Sequence, residues 1–180
     1  LVSYMLSHSH LSWDVARLPA PKPTGKRLPS IVEDVADDDP TWWDAERTAY
    51  FMNQLSERHM AIAQQMIAGD EVSYGTAFRR VRNGRSMAEL RVDGIAGCLR
   101  TPRGGSGRQI LFKAGQGRHQ VRLLSPRECA RLQGVPDSFR IEVAANQALF
   151  GFGDAVCVPV ISWIAENYLS PYLAGTMGSS

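Results

Sequence analysis

Residues 94–109, Gly94-Ile95-Ala96-Gly97-Cys98-Leu99-Arg100-Thr101-Pro102-Arg103-Gly104-Gly105-Ser106-Gly107-Arg108-Gln109, join backbone freedom to guanidinium and amide donors. Glycine lets a chain approach a duplex closely, arginine forks onto guanine or phosphate oxygens, and glutamine or threonine can read a base edge. The chemistry expected is insertion into a nucleic-acid groove, with Arg100, Thr101, Arg103, Gly104, Gly105, Ser106, Arg108 and Gln109 as candidate contacts. A surface loop with incidental arginines is the alternative. Arg127 and Arg131 stand four apart and share one helix face; ion pairs with Glu128 or Asp137 are their other use.

Charge is unevenly spread around a formal net of +2. Residues 1–70 carry six Lys/Arg against ten Asp/Glu, residues 71–140 fourteen against five, and residues 141–180 none against three. The middle third thus has a surplus of nine positive charges, nearly all arginine, which is the footprint of a phosphate-facing surface or of a solvated charged face. Cys98, Cys129 and Cys157 are odd in number and widely spaced, which favours neither a disulfide framework nor a zinc site. Cys129 reads as a small packed side chain. His8 and His10 lack a third ligand, so no metal is expected, and His59 and His119 read as ordinary surface or packing residues. No run of about 18 apolar residues and no leader pattern is evident, so a soluble, cytoplasmic chain without membrane contact is expected. The opening Leu1-Val2-Ser3-Tyr4-Met5-Leu6 reads like the end of a strand in a chain that begins partway through a larger protein.

The elements that must position these residues follow from local pattern. Residues 1–40 read as an irregular connector, rich in Pro, Lys and Asp from Pro19 to Asp39. Thr41 is the expected N-cap of a helix from about Trp42, and Ser56 precedes a second helix that ends at Gly69. Trp42 and Trp43 could stack on bases, but aromatics at a helix start are more often core. Asn83-Gly84 predicts a hairpin within residues 74–92, and strands are expected at 110–113 and 119–123 around Gly115-Gln116-Gly117. Ser125 and Glu128 have capping-box spacing, Pro126 suits a first helical position, and Gly134 and Pro136 stop that helix. A short helix over 144–149 should lead into a glycine turn at Gly151 and Gly153. A last helix from Val158 to Tyr168 should bury Ile161, Ile164, Ala165 and Tyr168.

The stretch Ser125-Pro126-Arg127-Glu128-Cys129-Ala130-Arg131-Leu132-Gln133-Gly134-Val135-Pro136-Asp137-Ser138-Phe139 resembles the ninth conserved motif of DNA cytosine-5 methyltransferases. Phe152-Gly153-Asp154-Ala155-Val156-Cys157-Val158-Pro159-Val160 resembles the tenth, with Asp154 where the family usually has Asn. The target-recognition region of such enzymes lies upstream of the ninth motif, where Cys98-Leu99 and Gly104-Gly105 stand here. The resemblance implies that Arg127 and Arg131 hold the recognition region and line the DNA-facing cleft. It also implies that Gly153, Asp154 and Ala155 help wall the S-adenosylmethionine pocket. Leu149-Phe150-Gly151-Phe152-Gly153 looks superficially like the Phe-x-Gly-x-Gly cofactor loop, but no strand-loop-helix unit surrounds it. Glu166-Asn167 mimics part of the family's Glu-Asn-Val and reads as solvated surface.

The family's nucleophile is the Cys of a Pro-Cys motif, and none of the three cysteines here follows a proline. No catalytic residue is therefore assigned. The expected fold is α+β: a small, twisted, β-rich recognition domain (41–140) with flanking helices, then a tenth-motif turn and C-terminal helix (141–180) that would dock on a doubly wound methyltransferase lobe. The expected function is the target-recognition half of a cytosine-5 methyltransferase. It would bind double-stranded DNA and share S-adenosylmethionine with a catalytic polypeptide or a missing N-terminal lobe. The alternatives are a non-catalytic DNA-binding or regulatory protein reusing the fold, and a decayed gene product.

Overall fold

The computed structural model describes residues 2–13, 18–23, 25–101 and 107–175. The chain divides into two compact units, Gly25–Val158 and a second made of Leu1–Thr24 with Pro159–Ser180. The larger is an α+β unit built on one antiparallel sheet.

Four strands, β1 (Ser73–Arg82), β2 (Arg85–Arg91), β3 (Ile110–Gly115) and β4 (Arg118–Leu123), pair in the order β2-β1-β3-β4. Asn83 and Gly84 adopt φ of 50° and 74°, the left-handed pair that a two-residue hairpin needs to match strand twist. Gln116 and Gly117, at 56° and 75°, do the same between β3 and β4. These turns set the register from Arg82 opposite Arg85 and from Gly115 opposite Arg118.

One face of the sheet buries Ala77, Ala88, Leu90, Ile110, Phe112 and Val121 against Phe51 and Ala63 of helices α2 (Ala45–Met52) and α3 (Glu57–Ala68). On the other face, Leu111 packs with Leu28, Leu124 and Cys129, joined by Leu149 and Phe152. Those partners belong to a 3₁₀ turn (Leu28–Ser30), helix α4 (Pro126–Leu132) and helix α5 (Ala145–Asp154). Being covered on both faces is why β3 opens with three consecutive apolar residues, Ile110-Leu111-Phe112. Trp42 and Trp43 are half-buried and pack one against each core.

Several expectations are corrected. Helix α2 starts at Ala45 with Asp44 as its N-cap, because Asp39 takes both the backbone N–H and the hydroxyl of Thr41 (2.8 and 2.5 Å). Residues 2–7 form a helix, α1 (Val2–Ser7), not a strand end; Tyr4 stacks on His8 one turn later, with ring centroids 4.1 Å apart. Helix α5 continues through Gly151 and Gly153 to Asp154, so the expected glycine turn is helical. The last helix, α6 (Val158–Ile164), passes through a π turn (Ala165–Leu169) into α7 (Ser170–Leu173), and none of its residues is buried; Ile161 is 49% exposed. Of the predicted stripe, Ile161 is exposed and Ile164, Ala165 and Tyr168 are half-buried.

A window within Ala145–Leu173 has mean hydropathy 1.7, so by length and composition this stretch meets the criterion for a membrane span, contrary to the sequence expectation. Asp154 and Glu166 are its charged residues, which is why its polarity is low. The backbone leaves the helix from Ala155 to Cys157, so the stretch is not one continuous helix.

Candidate nucleic-acid interface

The β1–β2 hairpin extends beyond the second core, and one of its faces is left open. Alternation puts Phe78, Arg80 and Arg82 of β1 on that face with Arg85, Glu89 and Arg91 of β2, while Ala77, Ala88 and Leu90 turn inward. Beside it runs the chain from Asp93 to Gln109. Between them lies a groove of about 710 Å³, lined by Phe78, Arg80, Arg91, Gly97, Arg100 and Gln109 among others. Three arginines of this face and loop, Arg80, Arg91 and Arg100, line it; Arg79 borders it from the other face, where its guanidinium lies over Trp43 and Tyr50.

Acids hold some of these arginines. Arg82 Nη2 lies 2.9 Å from Glu89 Oε1, and Arg80 Nε lies 3.9 Å from the same atom with its guanidinium 4.8 Å from the Phe78 ring centroid. Arg91 donates from Nε and Nη2 to both oxygens of Asp93, at 3.0 and 2.5 Å. That pair lowers the Asp93 carboxyl below its ordinary value and raises Arg91 above its own. Arg100 is exposed and has no ionic partner among the described residues.

The loop contacts expected from sequence fall into distinct places. Arg100 and Thr101 line the groove. Arg103, Gly104, Gly105 and Ser106 lie outside the described residues. Arg108 donates to Asn146 Oδ1 of α5. Gln109 is only 6% exposed; its amide donates to Cys98 O at 3.2 Å, and its Oε1 is buried without a partner. It therefore shapes the loop from inside, and a Cβ on Gly97 would sit 2.6 Å from that oxygen.

Helix α4 is the platform beneath the loop. Ser125 caps Glu128 N and the Glu128 side chain accepts from Ser125 N, completing the capping box. The same carboxylate, 0% exposed, accepts from Arg122 Nη1 and Nη2 at 2.7 and 2.6 Å and from Glu33 N at 2.9 Å. Arg122 is 2% exposed and lies 5.0 Å from the Trp42 ring centroid. One carboxylate thus ties β4, the helix start and the connector together. The sequence suggested its capping part and offered Arg127 or Arg131 as its ion-pair partner, whereas the partner is Arg122; the single available signal for that was an arginine in an otherwise apolar strand end. Arg131 forks onto Asp137 (2.8 and 2.9 Å) and donates to Ile31 O, and Arg127 donates to Phe139 O, so both arginines brace the helix and the segment after it. Burial and the charge of Glu128 push the Cys129 thiol up to about 12.

The two signature segments are in direct contact. Gln133 at the end of α4 donates to Phe152 O (2.8 Å) and Ala155 O (3.2 Å), and its own carbonyl accepts from Val158 N. Gly153 packs against the Arg100–Thr101 backbone: a Cβ there would lie 2.5 Å from Arg100 C and Thr101 N. Asp154 and Ala155 are exposed at the end of α5, whereas Gly153 packs against the loop.

Residues 7–170 match the family model described as C-5 cytosine-specific DNA methylase. The chain is 52% identical over 61 residues to the type II methyltransferase M.NlaX of Neisseria lactamica, covering 34% of this chain and 19% of that one. It is 44% identical over 48 residues to M.HhaI of Haemophilus parahaemolyticus (27% and 15%), and 33% identical over 106 residues to M.Bsp6I of a Bacillus species (58% and 30%). The matches span under a third of each of these relatives' length. The arginine-lined groove, the capped helix and the tenth-motif helix thus sit in a chain that belongs to the C-5 cytosine-specific DNA methylase family.

Proposed function

We propose that this chain is the DNA target-recognition half of a cytosine-5 DNA methyltransferase, reading a duplex site and completing the S-adenosylmethionine pocket of a catalytic half that it does not contain. The observation that supports this most is the packing of Gly153 on the Arg100–Thr101 backbone, which joins the tenth-motif helix to the loop at the arginine-lined groove. Family membership supplies the reaction class. Phosphate contacts from the arginine-rich segment supply most of the affinity, and the loop supplies discrimination.

The nucleophile must come from elsewhere on this reading. Attack on the flipped base needs a thiolate. Cys129 is buried with its thiol near 12, and Cys98 and Cys157 follow Gly97 and Val156 rather than a proline. Asp154 and Ala155 would contribute a wall to the methyl-donor pocket, the donor supplying an electrophilic methyl group when bound. The face of α6 and the π turn formed by exposed Ile161 and half-buried Ile164 and Tyr168 is the surface that a catalytic lobe would cover. Free cysteines suit the reducing cytoplasm as the place of work.

The test mixes the purified chain with a polypeptide carrying Pro-Cys and Glu-Asn-Val motifs and follows transfer of a labelled methyl group to duplex DNA. Transfer in the mixture and from neither component alone supports the reading. Labelling by this chain unaided refutes it, and sequence-specific binding that never supports transfer favours the non-catalytic regulator.

A further inference from the structure

The bidentate pair at the end of β2 has no role in holding the core together. Arg91 and Asp93 are both substantially exposed, with side-chain exposures of 41% and 51%, and Arg91 borders the groove beside Gly97, Arg100 and Thr101. Asp93 is nevertheless fixed. Its Oδ1 also accepts from Ile95 N at 3.3 Å, its carbonyl accepts from Arg27 Nη1 at 3.2 Å, and the next carbonyl, of Gly94, accepts from Leu28 N at 2.9 Å. The carboxylate is therefore a rigid backstop, and the arginine resting on it is locked in one plane.

The geometry points to Arg91 as a base-reading, specificity-determining residue that recognises a guanine, with Asp93 as its positioning residue; this rests on the DNA-reading function proposed above. The carboxylate occupies the Nε and Nη2 edge of the guanidinium. The remaining edge, between Nη1 and Nη2, presents two parallel N–H donors, which match the O6 and N7 acceptors of guanine in the major groove. A two-stranded ribbon such as β1–β2 fits that groove. Phosphate offers paired acceptors too, but the Asp93 charge decides between them. It offsets the attraction of Arg91 for an anion and repels a phosphate beside it, while a neutral base edge loses little. Arg100, without an ionic partner among the described residues, suits phosphate better.

The experiment selects from duplexes carrying eight random base pairs around a fixed cytosine, using the full 180-residue chain, then measures affinity for the selected and scrambled duplexes. The unaltered chain should enrich a G·C pair at a defined position. Arg91→Lys keeps the charge but not the fork, and Asp93→Ala keeps the arginine but not its plane. Both should reduce preference at that one position about 5- to 150-fold; Arg91→Lys should leave scrambled-duplex affinity within about twofold, and Asp93→Ala, which removes a charge that repels phosphate, should raise it. Arg91→Lys behaving like the unaltered chain, or Arg91→Ala weakening all sequences equally with a salt slope about one unit shallower, marks a phosphate contact and overturns the assignment. Binding without any sequence preference also overturns it. If the unaltered chain binds no duplex at all, the DNA-reading function fails as well, whereas normal selection by both variants sinks only the role of Arg91 and Asp93.

Discussion

Removing the Glu128 carboxylate should be among the most damaging single changes in this chain. Glu128→Ala leaves the Arg122 guanidinium, 2% exposed, without its counter-charge, and strips the acceptor from Ser125 N and Glu33 N at the same time. Leaving one member of a buried pair unmatched costs roughly 3–5 kcal/mol. That compares with a total stability of about 5–15 kcal/mol for an ordinary domain, so the variant should be marginal. Urea unfolding followed by tryptophan fluorescence suits the question, because Trp42 lies against Arg122. With a slope of about 2 kcal/mol/M, the midpoint should fall by about 2 M at unchanged slope. The double variant Arg122→Met with Glu128→Leu removes both charges together and should recover much of the loss, since an apolar replacement of a buried pair is often neutral. A Glu128→Ala effect below about 1 kcal/mol, or strict additivity of the two sites, would refute the claim that this pair fastens β4 to α4 and the connector.

Gly153→Ala should impair duplex binding and lower the melting temperature, because its methyl would meet Arg100 and Thr101 backbone at 2.5 Å. Gly151→Ala, with nothing within 4 Å, should raise helix stability by about 0.5–1 kcal/mol, and paired thermal melts check both. Arg103→Ala or Arg108→Ala should weaken binding to a cognate duplex more than Arg17→Ala, and equal losses in titration would remove the loop from the interface. Asp37, Asp93 and Asp137 have carboxyls lowered below 3.8 chiefly by hydrogen bonds from Lys113, Arg91 and Arg131. Their contribution is present above the unfolded value of about 3.8 and is lost as pH falls through the lowered ones, so Asp37→Asn should flatten the decline in melting temperature below pH 4. Cys129, with its thiol near 12, should resist iodoacetamide at pH 8 in the folded chain while exposed Cys98 is alkylated, as peptide mass mapping would show.

Local rules were legible wherever the decisive partners lie within a few residues. The Asn83-Gly84 hairpin, the Ser56 cap and the Ser125–Glu128 box all rest on spacings of four or less, and each forms as its residues suggest. Thr41 failed as a cap because Asp39, two residues back, offered its hydroxyl a carboxylate. The glycines of α5 suggested a turn, but Leu149 and Phe152 on its inner face pack with Leu111 and Leu124, and that burial outweighs glycine's poor helix propensity. Stretch 158–168 has helical periodicity, yet periodicity cannot reveal whether a partner surface is present, and none of its apolar side chains is fully buried. Of the candidate site, the glycine loop and the basic segment were readable from composition. Arg91 and Asp93 form their pair at the end of a strand, and nothing in a spacing of two announces a fixed guanidinium plane; the carboxylate of Glu128, read as a cap and as an alternative ion-pair partner of Arg127 or Arg131, proved to be buried with two further partners, Arg122 and Glu33 N.

The atoms nearest to Gly153 are all main-chain: the carbonyl carbon and oxygen of Arg100 and the nitrogen of Thr101. Its seat is consequently indifferent to which side chains positions 100 and 101 carry. If the loop reads DNA as proposed, a lineage could exchange those side chains and acquire a new target while the loop stays moored to the same glycine.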